Sequence, residues 1–295
     1  MLRLLGLFCL LISQSVFGID ISTLNDVLLK DPAPFNYDLH IKVIPGRSRD
    51  ESVMICCHGY GGNYEIAKTI KATQAVSQHL VGFNFPDHDI KERSSNASKI
   101  SFGSIKELLP VIYILKQIVV KGHASQISLY GFSAGGGAVV NVIGVLNSNE
   151  YDDELNKIGV NALSKQSILA ALQNGIIILD SPLKSIEEII GDKANNPDMQ
   201  TMANQYKLNQ LRPIDRLSKW QGLKLSVILY FQNPDEAVTN RDDKIFTDRL
   251  LQYNSKGKNI VLIKNEGGHC GYHASLWEAY RQLFSNDLKR EPAHD

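Results

Sequence analysis

The chain has 295 residues, of which 31 are basic and 31 acidic, so its formal net charge at neutral pH is zero. This balance argues against binding to nucleic acid or to an anionic surface, and we expect neither as a partner. With 43% hydrophobic residues, the length is typical of one large α/β domain.

The N-terminus predicts a secretory signal peptide over residues 1–18. A basic head at Arg3 precedes an apolar stretch, and small residues lead to a plausible cleavage point after Gly18. The apolar stretch is shorter than the roughly 20 residues that a membrane helix needs. We therefore expect export, to the periplasm or out of the cell, no stable membrane span after signal removal, and a mature domain over residues 19–295.

Three cysteines remain after the signal: Cys56, Cys57 and Cys270. An odd number, with two neighbours in one apolar run, is a poor basis for a disulfide framework. We expect Cys56 and Cys57 to act as small buried hydrophobic residues within a strand.

Short apolar runs alternate with segments of helical periodicity along the rest of the chain. The predicted strands cover residues 37–44, 53–57, 80–85, 127–130, 176–179, 225–231 and 260–264. The predicted helices cover residues 64–79, 102–121, 134 to about 147, 165–173, 242–253 and 272–288. This alternation predicts an α/β fold with a mostly parallel central sheet and helices on both faces.

A mostly polar excursion over residues 184–220 interrupts the alternation and predicts a small cap. In a parallel sheet, functional groups collect on loops at the carboxyl ends of the strands. The candidate residues below all follow predicted strands.

Ser133 lies in Gly-Phe-Ser-Ala-Gly, residues 131–135, between a predicted strand and a predicted helix. A serine on such a tight turn is exposed and accessible as a nucleophile. Its flanking glycines are required because a Cβ at either position would collide with the neighbouring strand or helix.

A serine nucleophile needs a base, and the base needs a carboxylate to orient it. We prefer His269 as the base, because it follows the last predicted strand, and His273 is the second candidate. The preferred acid is Asp235, directly after the strand at 225–231, with Asp180 as its main rival and Glu236 as a further possibility.

Acyl transfer also requires fixed donors for the negative charge that develops on the substrate oxygen. The backbone N–H of Ala134, next to the nucleophile, is one expected donor. The second is the backbone N–H of Tyr60, in the glycine-rich loop at residues 58–62. We interpret His58 in the same loop as a residue that shapes the loop and not as a catalytic base.

Four segments together resemble the α/β-hydrolase fold superfamily, particularly its single-domain esterase, lipase and serine-peptidase-like branch. His-Gly-Tyr-Gly-Gly, Gly-Phe-Ser-Ala-Gly-Gly, Asn-Pro-Asp-Glu-Ala-Val and Gly-Gly-His are similar to the oxyanion loop, nucleophile elbow, acid loop and histidine loop of that family. The resemblance spans residues 37–288. Because the family accepts an acid after either of two strands, the choice between Asp235 and Asp180 stays open.

The resemblance implies hydrolysis of a small carboxylic ester through a Ser-His-Asp triad and an acyl-enzyme, without a metal or an organic cofactor. A short cap implies an open cleft, which favours a carboxylesterase over a lipase that acts on long acyl chains. Two other readings share these residues: an acyltransferase or thioesterase, and a non-catalytic binding protein on the same fold.

Overall fold

The structure is a computed structural model that describes residues 21–30, 34–35, 39–47, 52–74, 76–86, 103–122, 124–185, 211–232, 235, 240–265, 269 and 273–288. The predicted signal peptide, residues 186–210 of the predicted cap, Glu236 and Cys270 lie outside the described residues.

A seven-stranded sheet runs through the described part of the chain, in the order β1-β3-β2-β4-β5-β6-β7. Its strands are β1 (Ile41–Ile44), β2 (Ser52–Cys57), β3 (His79–Phe83), β4 (Gln126–Phe132), β5 (Ile176–Asp180), β6 (Ser226–Gln232) and β7 (Ile260–Asn265). Only β1 is antiparallel to its neighbour β3, and the other five pairings are parallel. The predicted mostly parallel sheet is confirmed.

The described helices are α1 (Ile21–Asn25), α2 (Glu65–Gln74), α3 (Ile105–Lys116), α4 (Ala134–Leu146), α5 (Asp152–Lys157), α6 (Ala162–Asn174), α7 (Pro213–Arg216), α8 (Asp243–Tyr253) and α9 (Ala274–Leu288). A π-type turn, Gln117–Lys121, follows α3, and 3₁₀ turns cover Leu217–Trp220 and Asn240–Asp242. None of these helices is long and apolar enough to cross a membrane.

The sheet is buried on both faces because its strands are apolar at successive positions. In β2, Val53 and Ile55 enter the core on one face, and Met54 and Cys56 enter the core on the other. Helices α3, α4, α6 and α8 cover the first face. Helices α2 and α9 cover the second, so the prediction of helices on both faces is confirmed.

Cys56 and Cys57 have free thiols and are fully buried in β2. Burial raises the pKa of both thiols, which keeps them protonated at neutral pH. The prediction that they act as small buried hydrophobic residues is confirmed.

The boundary between α2 and β3 differs from the sequence prediction. His79 was predicted to end a helix, but α2 stops at Gln74 and His79 begins β3 opposite Val53. The ring Nδ1 of His79 accepts a hydrogen bond from the backbone N–H of Gly46 at 3.0 Å. These long-range pairings override the local helical pattern.

The end of the segment predicted as a cap belongs to the core. Leu211, Leu217 and Trp220 are fully buried, and the indole N–H of Trp220 donates to the carbonyl of Val140 in α4 at 3.2 Å. Residues 211–220 therefore support the helix that begins directly after Ser133.

Candidate active site

Ser133 joins β4 to α4 in a conformation that is rare for a residue with a side chain. Its φ is 52° and its ψ is −118°, a backbone strain of the order of 1–3 kcal/mol. The backbone N–H of Ser133 donates to the carbonyl of Asp180 at 2.9 Å, and its carbonyl accepts from the N–H of Leu183 at 2.9 Å. The end of β5 thus fixes the strained turn.

Close backbone packing explains the glycines around Ser133. A Cβ on Gly135 would lie 2.3 Å from the carbonyl oxygen of Cys57, and one on Gly131 would lie 2.6 Å from the carbonyl oxygen of Gly135. Neither distance can accommodate a side chain. The start of α4 therefore rests against the end of β2, as the sequence argument required.

The amino end of α4 lies directly after the serine. Ala134 is the first residue of the helix, where a backbone N–H has no partner within the helix. Among the described residues, the Ser133 side chain makes no capping hydrogen bond to the helix. The positive end of the helix dipole consequently lies beside a hydroxyl that does not cap it.

The glycine-rich loop after β2 approaches the serine closely. A Cβ on Gly59 would lie 3.2 Å from the Cβ of Ser133 and 2.9 Å from the ring of Phe132. Tyr60 is the next residue and is half-buried. The loop expected to supply a backbone donor is therefore adjacent to the serine.

His58 is buried and holds this loop in place with both ring nitrogens. Its Nε2 accepts from the backbone N–H of Phe85 at 3.1 Å, so the proton lies on Nδ1, which donates to the carbonyl of Gly59 at 2.7 Å. These bonds agree with the prediction that His58 shapes the loop.

Asp235 and His269 form a buried hydrogen-bonded pair. The Nδ1 of His269 lies 2.8 Å from a carboxylate oxygen of Asp235, and only 7% and 4% of the His269 and Asp235 side chains are exposed. The ring of Phe132 lies 5.0 Å from the His269 ring, centroid to centroid. Because Phe132 immediately precedes Ser133, the pair lies at the same edge of the sheet as the serine.

Asp180, the rival acid, has different partners. It is buried at the end of β5 and accepts a hydrogen bond from the Tyr130 hydroxyl at 2.8 Å. Burial raises the pKa of Asp180 to about 7, against the opposing effects of the Tyr130 hydrogen bond and the charge of His269. The geometry thus pairs His269 with Asp235 and pairs Asp180 with Tyr130.

Two further side chains lie behind His269. Gln232, the last residue of β6, donates to the backbone carbonyl of His269 at 3.3 Å and also contacts the ring of His273. His273, the second candidate base, stacks on Tyr230, and burial followed by the charge of His269 lowers its pKa. Gln232 was not among the site residues predicted from the sequence. The sequence carries one sign of it, which is a polar side chain at a position of β6 where the alternation of the strand predicts a core residue.

Within the described ranges, no group of three or more histidine, cysteine, aspartate or glutamate side chains could hold a metal ion.

Comparisons with known proteins agree on the fold. No protein-family model matches the sequence, and no curated protein matches it significantly. A lipase/esterase from Lactobacillus plantarum is similar at 18% identity and a TM-score of 0.54, over 85% of this chain and 94% of that one. A Butyrivibrio proteoclasticus protein solved with ferulic acid bound gives 16% identity and 0.52, over 85% and 95%.

An esterase from Pyrococcus furiosus is similar at 14% identity and a TM-score of 0.55, over 86% of this chain and 91% of the esterase. These likenesses cover nearly the whole of each solved chain. Together with the strand order, they show that this chain has the α/β-hydrolase fold.

Proposed function

We propose that this protein is a serine hydrolase that cleaves carboxylic esters through Ser133, His269 and Asp235. The observation that carries the proposal is the buried hydrogen bond between Asp235 and His269, 2.8 Å long, at the edge of the sheet where Ser133 occupies its strained turn. A base oriented by a carboxylate at the same sheet edge as a half-buried serine hydroxyl is the arrangement that nucleophilic catalysis requires.

In this proposal, the Ser133 hydroxyl attacks the ester carbonyl while His269 takes its proton. Asp235 holds the Nδ1 proton of His269, which leaves Nε2 as the base, and stabilises the imidazolium as it forms. His269 then returns the proton to the departing alcohol, leaving an acyl group on Ser133. Water activated by His269 releases the acid and restores the serine.

The tetrahedral intermediate needs donors for its oxyanion. The backbone N–H of Ala134, at the start of α4, is our first choice, and that of Tyr60 is the second. Support comes from the approach of Gly59 to Ser133 within the same loop as Tyr60. Each donor of this kind is worth ~3 kcal/mol of transition-state stabilisation.

The substrate we propose is a small carboxylic ester, and the reaction needs no cofactor. Solved proteins of the same fold include a lipase/esterase and a protein with ferulic acid bound, which favours ester chemistry over the thioester and transfer reactions that the triad also permits. We further propose export after removal of residues 1–18. A mature N-terminus near residue 19, read by mass spectrometry, tests that part.

Nitrophenyl esters of increasing acyl length, assayed beside thioester and aminopeptidase substrates, test the reaction and the pocket length together. We expect turnover of short esters by the wild-type protein, and turnover at the level of the uncatalysed reaction for Ser133→Ala. A wild-type protein that cleaves none of the esters contradicts the proposal, whereas selective cleavage of thioesters favours the thioesterase reading.

A further inference from the structure

Gln232 connects the strand that leads to Asp235 with the two histidines that follow β7. Its side-chain nitrogen donates to the backbone carbonyl of His269 at 3.3 Å, and the same nitrogen is hydrogen-bonded to Nε2 of the His273 ring. Gln232 is only 1% exposed. The contact with the His269 carbonyl assigns the orientation of the amide, because turning it would bring its oxygen against that carbonyl; in this orientation the amide oxygen makes no hydrogen bond within the described part of the chain.

This orientation determines the protonation of His273. An amide nitrogen can only donate, so the Nε2 of His273 must accept and the ring proton must lie on Nδ1. His273 is consequently neutral, in agreement with the burial that lowers its pKa. Among the described residues, the titratable side chains that act on it are His269, through its charge, and Tyr230, whose ring stacks on it.

Two contacts hold His273 in place. Its ring stacks on Tyr230 of β6 with centroids 4.2 Å apart and planes 22° apart. Its carbonyl accepts a hydrogen bond from the backbone N–H of Trp277 in the first turn of α9 at 3.3 Å. Gln232 therefore joins His269 to two rigid elements, β6 and α9.

We infer that Gln232 is a positioning residue for His269, holding the backbone of the base in place through its carbonyl and through the neutral ring of His273. The inference rests on the proposed function, since it assigns a task to the base of that reaction. The last residue of β6 would then control the histidine while Asp235, three residues later, controls its tautomer. A displacement of about 1 Å in a catalytic group can cost 10²-fold in rate.

Two substitutions of Gln232 test whether its hydrogen-bond donors, and not only its volume, hold His269 in place. Gln232→Glu keeps the shape but removes both donors, and Gln232→Leu removes all polarity. The matched control is Gln78→Leu, because Gln78 is also buried and also bridges two groups, here the side chains of Ser128 and Tyr280. Gln78 immediately precedes β3, at the amino edge of the sheet, which is the edge opposite His269.

The experiment measures kcat and KM for a short nitrophenyl ester and the rate at which a fluorophosphonate labels Ser133, per folded molecule judged by near-ultraviolet circular dichroism. We expect both Gln232 variants to lose about 10- to 100-fold in kcat and in labelling rate, with KM little changed. Gln78→Leu keeps the wild-type kcat and loses only stability.

Nitrogen NMR of the histidine rings in the wild-type protein provides a test that needs no variant and no activity. The expected result is a neutral His273 with Nδ1 protonated and Nε2 unprotonated, and in Gln232→Glu a raised His273 pKa. A proton on Nε2 of His273 in the wild type overturns the inference. Because this measurement uses the wild-type protein, it tests the inference even if neither Gln232 variant folds.

The outcomes also distinguish this inference from the proposed function. A wild-type protein that neither cleaves esters nor reacts with the fluorophosphonate refutes the proposed function and, with it, the positioning role. An active wild type with folded Gln232 variants of unchanged kcat refutes the positioning role alone.

Discussion

Replacing Asp235 with asparagine removes one charge from a pair that is almost completely shielded from solvent. The carboxylate oxygen and the Nδ1 of His269 are 2.8 Å apart, and only 4% of the Asp235 side chain is exposed. The neutral amide of the variant would not compensate the positive charge that His269 acquires in the transition state. It could also present its NH₂ group to Nδ1, which would place the ring proton on Nε2 and abolish the base.

The size of the effect follows from the burial of the pair. Two unit charges about 4 Å apart interact by about 4 kcal/mol at an effective dielectric constant of about 20. At about 1.4 kcal/mol for each tenfold change in rate, this corresponds to a loss of about 10³-fold in kcat. The change of tautomer adds to this, and the same substitution in serine proteases costs about 10⁴-fold. We expect a loss between these two values.

The assay is ester turnover by Asp235→Asn and Asp180→Asn at pH 6, where Asp180 in the wild-type protein is mostly protonated. We expect the first variant to lose kcat by about 10³- to 10⁴-fold and the second to retain wild-type turnover. Wild-type turnover in Asp235→Asn, with Asp180→Asn inactive, would show that Asp180 is the acid and that our reasoning from the hydrogen bond is wrong.

Buried titratable side chains elsewhere in the molecule give three other predictions. Since the pKa of Asp180 is raised to about 7, the activity ratio of wild type to Asp180→Asn should grow from pH 6 to pH 8.5 as the carboxylate near His269 ionises, and a constant ratio contradicts this. Burial raises the pKa of Glu107 in the folded protein from 4.5 to about 8. The folded state therefore keeps this proton over a pH range in which the unfolded state loses it. The free energy of unfolding consequently falls as pH rises from about 4.5 to about 8, by up to about 1.4 kcal/mol per pH unit. Glu107→Gln should match the wild-type unfolding midpoint near pH 4.5 and exceed it at pH 8, whereas parallel curves refute the assignment. Lys184→Met should cost about 3–5 kcal/mol in denaturant unfolding because it leaves Asp243 buried without the lysine that lies 2.7 Å away. The double variant with Asp243→Leu should recover most of that loss, and a single variant as stable as wild type refutes the reasoning.

The sequence predicted the sheet well because its strands are buried on both faces. Uninterrupted apolar runs such as residues 53–57 have few alternatives to a buried parallel strand. The short helix α5, in contrast, was not predicted. Its first turn holds three acidic residues, and Leu155 is its one buried residue, so no apolar periodicity marks it.

The site was harder to predict than the sheet, because strand order alone brings several polar residues to one edge. Asp235 and Asp180 both follow strands, and the sequence could not show that Tyr130, 50 positions before Asp180, would be the hydrogen-bond partner of Asp180. Gln232 was missed for a similar reason. Its partners, His269 and His273, are 37 and 41 positions away. The catalytic roles of Ser133, His269 and Asp235 stay predictions.

The most direct test of the central claim is the site at which a fluorophosphonate reacts, located by digestion and peptide mass spectrometry. We predict a single phosphonyl adduct on Ser133, absent in Ser133→Ala and retained in Ser181→Ala, which replaces the other described serine with a positive φ. An adduct on a different residue, or none on the wild-type protein under conditions that label known serine hydrolases, would contradict the claim that Ser133 is an activated nucleophile.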